Sequence, residues 1–319
     1  MIRIGMIGCG AISLAQVDAI LTFDDAKIVA AADISEKNLA AVCERTNAAG
    51  YADYKEMIDK ESFDLAIISL PHALHREATC LCAERGIDVF LEKPMGVSSE
   101  DCDIMIDACK KANVMLWIGH IRRYGPLDRF AKELIDSGKY GKLVAISETR
   151  SALYFAETRP RWFLSKALAG GGMMMNLGAH SLDRIKFFCD DAKVVDAAGQ
   201  IHIPEGAEVE NTAQALIKLS NGVSATLNLI GNTSAPCYMT TVFLTDGEIR
   251  ISDGKVLYCG RDGVFQTRDF RSEHLVPDMQ PQLRAVIDTM VSGEKKPIVT
   301  GEYGKDVIHT IKRIYGEER

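Results

Sequence analysis

Short apolar runs alternate with longer amphipathic stretches through the first third of the chain. Ile2–Ile7, Lys27–Ala32, Asp64–Leu70, Asp88–Leu91 and Val114–Ile118 read as strands, apolar throughout as in strands covered on both faces. Helical spacing predicts helices between them at about 11–22, 36–48, 54–60, 73–86 and 98–112. Strand and helix in alternation argue for a parallel sheet with right-handed crossovers. Beyond about residue 120 the texture changes. Leu143–Thr149, Val194–His202, Thr212–Leu219, Val223–Ile230, Tyr238–Leu244, Glu248–Ile251 and Val256–Tyr258 read as strands, with Asn221-Gly222 and Asp246-Gly247 as hairpin turns. This is a mostly antiparallel sheet, interrupted by helices at about 126–137 and 174–189 and followed by two more at about 279–292 and 301–315. The fold class is α/β: a doubly wound parallel domain over 1–120, then an α+β domain with a large open sheet over 121–319, whose last helices can pack back on the first domain.

Composition narrows what such a chain does. With 319 residues, 47 % hydrophobic and 25 % charged, it has enough apolar surface to fold into two cores. Its net charge of −7 argues against nucleic acid, whose binding rests on phosphate neutralisation. No apolar run approaches a membrane span, and Gly5, Gly8 and Gly10 break the N-terminal one, so no signal peptide is read. Nine scattered cysteines show neither a zinc spacing nor a disulfide framework, which suits free thiols in a reducing cytoplasm.

Three segments carry chemistry. Gly8-Cys9-Gly10-Ala11-Ile12-Ser13 follows the first strand and opens the first helix. Gly8 allows the tight turn, and Gly10 lets the backbone approach a pyrophosphate that the helix N-terminus stabilises. Asp33, 20 residues beyond Ser13 at the end of the second strand, is placed to bind ribose hydroxyls and to favour NAD over NADP. Glu92-Lys93-Pro94 closes another apolar strand, at the sheet edge where ligands of open parallel sheets bind. Lys93 there can stabilise negative charge on a substrate oxygen, and a cis Lys93–Pro94 bond would turn it sharply off the strand. In Gly170-Gly171-Gly172-Met173-Met174-Met175-Asn176-Leu177-Gly178-Ala179-His180, glycines at a helix start allow close approach of a ligand. Asn176 and His180, four apart, share a face, and His180 is a natural base for a hydroxyl proton. His72 and His75 lack a third ligand, so no metal is expected.

Together with Pro71-x-x-x-His75, Gly119-x-x-x-Arg123-x-x-Pro126 and Trp162, these motifs resemble the glucose–fructose oxidoreductase/inositol dehydrogenase (Gfo/Idh/MocA) family over essentially the whole chain. The resemblance implies a Rossmann domain, a C-terminal open sheet, and NAD(P)-dependent hydride transfer at a secondary carbinol or carbonyl carbon of a sugar, sugar derivative or cyclitol. It places catalysis on Lys93 and His180, with Asn176 orienting the substrate where the family often has aspartate. It implies cofactor contacts from Gly8, Gly10, Ala11, Ile12, Asp33, Leu70, Pro71, His72, His75, Glu92 and Lys93. Substrate contacts would come from Lys93, Arg123, Tyr154, Trp162, Asn176 and His180. Two alternatives stand beside it: a catalytically silent dinucleotide-sensing regulator, and a dehydrogenase or reductase of a non-sugar substrate such as a dihydrodiol. Apolar residues on both faces of Thr212–Leu219 and Val223–Ile230 further suggest a homodimer or homotetramer.

Overall fold

The computed structural model describes residues 1–271, 278–294 and 297–318. The described residues of 1–120 and 276–305 form one compact unit, and those of 121–275 and 306–319 form another.

In the first unit the strands β1 (Ile2–Ile7), β2 (Ala26–Ala32), β3 (Ala49–Tyr51), β4 (Leu65–Ile68), β5 (Asp88–Leu91) and β6 (Leu116–Ile118) make one parallel sheet. Their order is β3-β2-β1-β4-β5-β6, so the winding reverses between β1 and β4 and opens a crevice at their carboxyl ends. Helices α1 (Ala11–Ile20), α2 (Glu36–Thr46), α3 (Tyr54–Lys60), α4 (His75–Glu84) and α5 (Ser99–Ala112) connect the strands. Local chemistry sets their limits. The Ser35 hydroxyl accepts from the Asn38 N–H to start α2, and Asn47 ends it in the left-handed region at φ 56°. The core is aliphatic: Ile4, Met6, Ile28, Leu65, Ile67 and Val89 are all at most 2 % exposed.

The second unit has eight strands: β7 (Leu143–Leu153), β8 (Val194–His202), β9 (Thr212–Leu219), β10 (Ser224–Ile230), β11 (Asn232–Leu244), β12 (Gly247–Ser252), β13 (Lys255–Cys259) and β14 (Gln266–Asp269). They run in the order β14-β13-β12-β11-β7-β10-β9-β8, antiparallel except for the β7–β10 pair. Helices α6 (Pro126–Asp136), α7 (Lys166–Ala169) and α8 (Ala179–Phe188) belong to this unit. Helix α9 (Met279–Ser292) lies in the first unit, where Arg284 forks onto Asp25 at 2.7 and 2.8 Å, and α10 (Gly301–Ile314) passes from the first unit into the second.

Several sequence expectations need revision. β3 and β14 were not expected: one is three residues around Gly50, the other is polar and largely exposed at a sheet edge. β11 begins at Asn232 and not Tyr238, with a shift of register before Cys237 beside Pro236, which cannot donate to a ladder. The helix expected over 174–189 is a π-helical turn, Met174–Gly178, followed by α8. The outer face of β9 and β10 is mostly polar. Ala213, Ile217, Leu219, Ala225, Leu227 and Leu229 are buried, while Gln214, Lys218, Ser224 and Thr226 point out beside the exposed Leu216 and Ile230.

Candidate active site

At the carboxyl edge of the parallel sheet, the β1–α1 turn has the form a dinucleotide requires. Gly8 sits at φ +92°, and a Cβ there would meet the Ser69 carbonyl oxygen at 2.5 Å, so this glycine is needed for strand packing. A Cβ on Gly10 would meet nothing within 4 Å, so the protein itself does not demand this glycine. Ser13 is fully buried and donates its hydroxyl to the Gly8 carbonyl at 2.8 Å, tying the turn to the first turn of α1. α1 has no acidic residue and no side-chain cap at its start, which leaves its N–H groups and dipole available to an anion. Asp33 receives the Cys9 N–H on one oxygen and the Ser35 N–H on the other, both at 2.7 Å, which fixes its carboxylate beside the turn. Cys9 is no nucleophile: burial pushes its thiol up to about 12. Ala11 and Ile12 are exposed, and Leu70 and Pro71 are half-buried at the end of β4. This cradle fits a dinucleotide.

The β5 end carries the next feature. The Lys93–Pro94 bond is cis, and Lys93 is half-buried. Glu92 is buried, its carboxyl accepting from the Gln16 amide at 2.9 Å and the Lys93 N–H at 3.2 Å. Gln16 in turn accepts from the Ser69 hydroxyl at 3.1 Å. Gly119 at the end of β6 leaves room for this carboxyl: a Cβ there would lie 3.2 Å from it. Burial raises Glu92 to about 7 against the lowering pull of Lys93 and its hydrogen bonds. On the other side of the turn, His75 is fully buried, with Nε2 2.9 Å from the Leu70 carbonyl and Nδ1 3.1 and 3.3 Å from those of Pro94 and Met95. Burial pushes its imidazole down to about 4. His75 was expected to touch a cofactor. It instead fastens the turn bearing Lys93 to the end of β4, and His72 lies buried beside it at a ring separation of 5.8 Å.

The second unit presents Asn176 and His180. Asn176 is 7 % exposed within the π-helical turn, and His180 is half-buried at the start of α8. π-turns widen a helix and recur at functional sites. This one is fixed at both ends. Glu210, which the sequence reading missed, accepts the N–H groups of Gly172 (2.8 Å) and Met174 (2.9 Å) and the Tyr315 hydroxyl (2.7 Å), while its carbonyl accepts the Met173 N–H. At the other end, Arg150 donates to the Leu177 carbonyl at 3.3 Å with its guanidinium over the Tyr238 ring. Behind α8, Ser181 and Thr240 donate to Glu148, and Arg184 bridges Glu148 and Asp128.

This arrangement corrects three expectations. Gly171 and Gly172 make room for protein and not for a ligand: a Cβ on either would lie 2.2 Å from the Tyr315 hydroxyl or 1.9 Å from the Glu210 carbonyl oxygen. Arg123 is buried against Asp183 (2.7 Å) and Asp191 (3.2 Å), so its guanidinium is committed to a structural ion pair. Tyr154, expected at the substrate, is fully buried with its phenol beside Asn176. Trp162 is half-buried and stacked on Phe163 at 3.7 Å, which leaves part of it available to a ligand. No group of three metal-binding side chains occurs among the described residues, and no helix there is long and apolar enough to cross a membrane.

Comparison with known proteins agrees with this architecture. Residues 2–120 match the model of an oxidoreductase family with an NAD-binding Rossmann fold, GFO/IDH/MocA, and residues 129–250 match that family's C-terminal domain. A 1-carboxy-3-chloro-3,4-dihydroxycyclohexa-1,5-diene dehydrogenase of Comamonas testosteroni is 31 % identical over 232 residues, 72 % of this chain and 58 % of that protein. The chain thus spans less than two thirds of that relative, and half of a Streptococcus pneumoniae oxidoreductase that it also matches. A myo-inositol 2-dehydrogenase of Thermotoga maritima is 26 % identical over 314 residues, 95 % of this chain and 92 % of that one. An oxidoreductase from Agrobacterium radiobacter, solved with NAD+, L-tartaric acid and magnesium, superposes with a TM-score of 0.89 at 19 % identity, covering 99 % of this chain and 96 % of the other, and so shares the fold. With both of its characteristic domains present in order, the chain belongs to the GFO/IDH/MocA oxidoreductase family.

Proposed function

We propose that this protein is an NAD-dependent dehydrogenase or reductase acting at a secondary carbinol or carbonyl carbon of a polyhydroxylated ring, a sugar derivative or cyclitol. The observation that carries the reading is in the first unit: a dinucleotide cradle whose Gly10 answers to no protein neighbour lies on the same sheet edge as Lys93. Gly8, Gly10, Ala11, Ile12 and Asp33 would hold the dinucleotide, with Leu70, Pro71 and His72 beside it. When bound, the nicotinamide supplies a hydride acceptor or donor. Lys93 donates a hydrogen bond to the substrate oxygen and stabilises its negative charge. His180 takes or gives the hydroxyl proton, because a carbinol cannot readily release hydride while its oxygen keeps a proton. Asn176 orients that hydroxyl without titrating, with the Tyr154 phenol beside it, and Trp162 offers an apolar wall.

A second substrate class has an observation of its own. The Comamonas relative is named for a carboxylated ring dihydrodiol, and a relative matched over nearly the full length of both chains is named for myo-inositol. Both names describe vicinal hydroxyls on a six-membered ring, which the roles above accommodate. The test is nicotinamide absorbance on a panel of cyclitols, pyranoses, uronates and ring dihydrodiols with NAD+ and NADP+. Turnover of at least one ring diol supports the reading; NADH binding without turnover on any member favours a dinucleotide sensor instead.

Nine free thiols suit a reducing, cytoplasmic setting. The open face of the second sheet exposes Val144, Leu216, Met239 and Phe243, each at least 41 % accessible. We assign that face to contact with further copies of the chain in a homodimer or homotetramer, and a monomer in light scattering at micromolar concentration would refute this.

A further inference from the structure

Glu92 is an ionisable group that a bystander role does not explain. It stands next to Lys93 in the chain, is only 8 % exposed, and receives one donor from helix α1 and one from the Lys93 backbone. Gln16, entirely buried, can serve it because its own oxygen is occupied by Ser69, which fixes the amide with its N–H2 toward the carboxyl. Gly119 leaves the room this carboxyl occupies, since a Cβ there would come within 3.2 Å of it. The charged group facing Glu92 is Lys93; Gln16, Ser69 and Gly119 are neutral, and His75, against the far side of the turn, is held neutral by burial.

We propose that Glu92 is a positioning residue for Lys93: its carboxyl, anchored by Gln16, fixes the Lys93 backbone and, by gaining or losing a proton, sets the ionisation of the Lys93 amine. The proposal deepens the function proposed above, in which Lys93 meets the substrate oxygen. The physical reason is simple. A carboxylate on the neighbouring residue attracts the Lys93 amine and favours its ammonium form, whereas a protonated carboxyl does not. Because burial raises Glu92 to about 7, its charge changes within the range where an enzyme works, and α1, which also begins the dinucleotide cradle, is directly bonded to the group that changes.

The test reads Lys93 itself. Competitive acetylation with acetic anhydride, followed by peptide mass spectrometry across pH 6–11, gives the Lys93 pKa without substrate. In Glu92→Gln the Lys93 pKa should fall by about one unit or more relative to wild type, since a negative neighbour is gone. Thermal melting of the cofactor-free protein supplies a second readout. A carboxyl whose folded pKa lies above its unfolded value stabilises most below the unfolded value, and that stability is lost as pH rises toward the folded one. Melting temperature of Glu92→Gln relative to wild type should therefore climb between about pH 4.5 and 7 and level off above. Gln16→Met, which keeps the volume and removes the amide, should move that levelling point upward by about one unit, because a bond that favours the carboxylate is lost. It should also lower kcat about tenfold with the KM for NAD+ within twofold.

Unchanged Lys93 acetylation in Glu92→Gln would overturn the proposal, and so would a pH–melting difference that stays flat. If Glu92→Gln fails to fold, the melting temperature of Gln16→Met relative to wild type decides alone: it should fall between about pH 7 and 8 and stay level on either side, and a difference level throughout would overturn the proposal. Shifted Lys93 titration with no turnover of any ring diol would remove the oxidoreductase reading and leave this one standing.

Discussion

The segment bearing Lys93 and the segment bearing Asn176 and His180 are both tightly held, but by opposite means. Around Lys93 the groups are neutral or on the border of ionisation: a buried imidazole pushed down to about 4, a carboxyl raised to about 7, and an amide between carboxyl and hydroxyl. Around Asn176 and His180 the work falls to many hydrogen bonds on buried acids and arginines, with Glu210 at one end, Arg150 at the other and Arg184 behind. The glycines divide the same way. Gly10 faces open space, while Gly171 and Gly172 face Tyr315 and Glu210. A glycine-rich helix start therefore takes two different forms in one chain, an open space before the helix and a seat for a carboxylate.

The largest effect that can break this contrast is on turnover. His180→Ala should lower kcat by roughly 10²–10⁴-fold, the usual worth of a general acid or base, with NADH affinity within twofold because His180 lies outside the dinucleotide-binding unit. Weakened NADH binding would undo the separation of roles. Next is the pair of glycines. Gly172→Ala should cost roughly 1–3 kcal/mol or more in urea unfolding, since its Cβ meets backbone that cannot give way. Gly10→Ala should leave stability within about 0.5 kcal/mol but weaken NADH binding about tenfold or more, read by fluorescence titration. The reverse pattern would invert the reading of both turns.

A smaller effect is expected at Asp33. Its carboxylate accepts ribose hydroxyls and repels a 2′-phosphate, so Asp33→Ser should narrow the NAD+ over NADP+ preference by about tenfold in kcat/KM. Comparable wild-type efficiency with both dinucleotides would contradict this role. Asn176→Asp should change least: it introduces a titrating group beside Tyr154, which should alter the pH profile or substrate preference while turnover continues. Complete loss of activity would mean that the neutral amide is itself essential.

Much of the first unit was legible because its signals are local. Apolar runs, the glycine turn and the Asp33 spacing follow from what a buried parallel strand and a helix N-terminus need. In the second unit the alternation of Thr212–Leu219 was equally plain, yet the site was read only in part. Glu210 reaches Gly172 across 38 residues of sequence, and Tyr315 reaches Glu210 across 105, distances at which no spacing rule operates. Arg123 was taken as a ligand contact because residue type cannot reveal a committed partner such as Asp183, and the full burial of Tyr154 is equally invisible to it. The one available signal for Glu210 was an acid in Val209-Glu210-Asn211, between an exposed loop and β9, whose burial only the fold discloses.

The central claim is that Lys93 stabilises the substrate oxygen at the dinucleotide edge of the first unit. It is tested most directly by Lys93→Met on whichever ring diol the wild type turns over, following nicotinamide absorbance and, separately, NADH binding. The account predicts kcat lowered by roughly 10²–10⁴-fold with NADH affinity unchanged within about twofold. Near-normal kcat in Lys93→Met would contradict it.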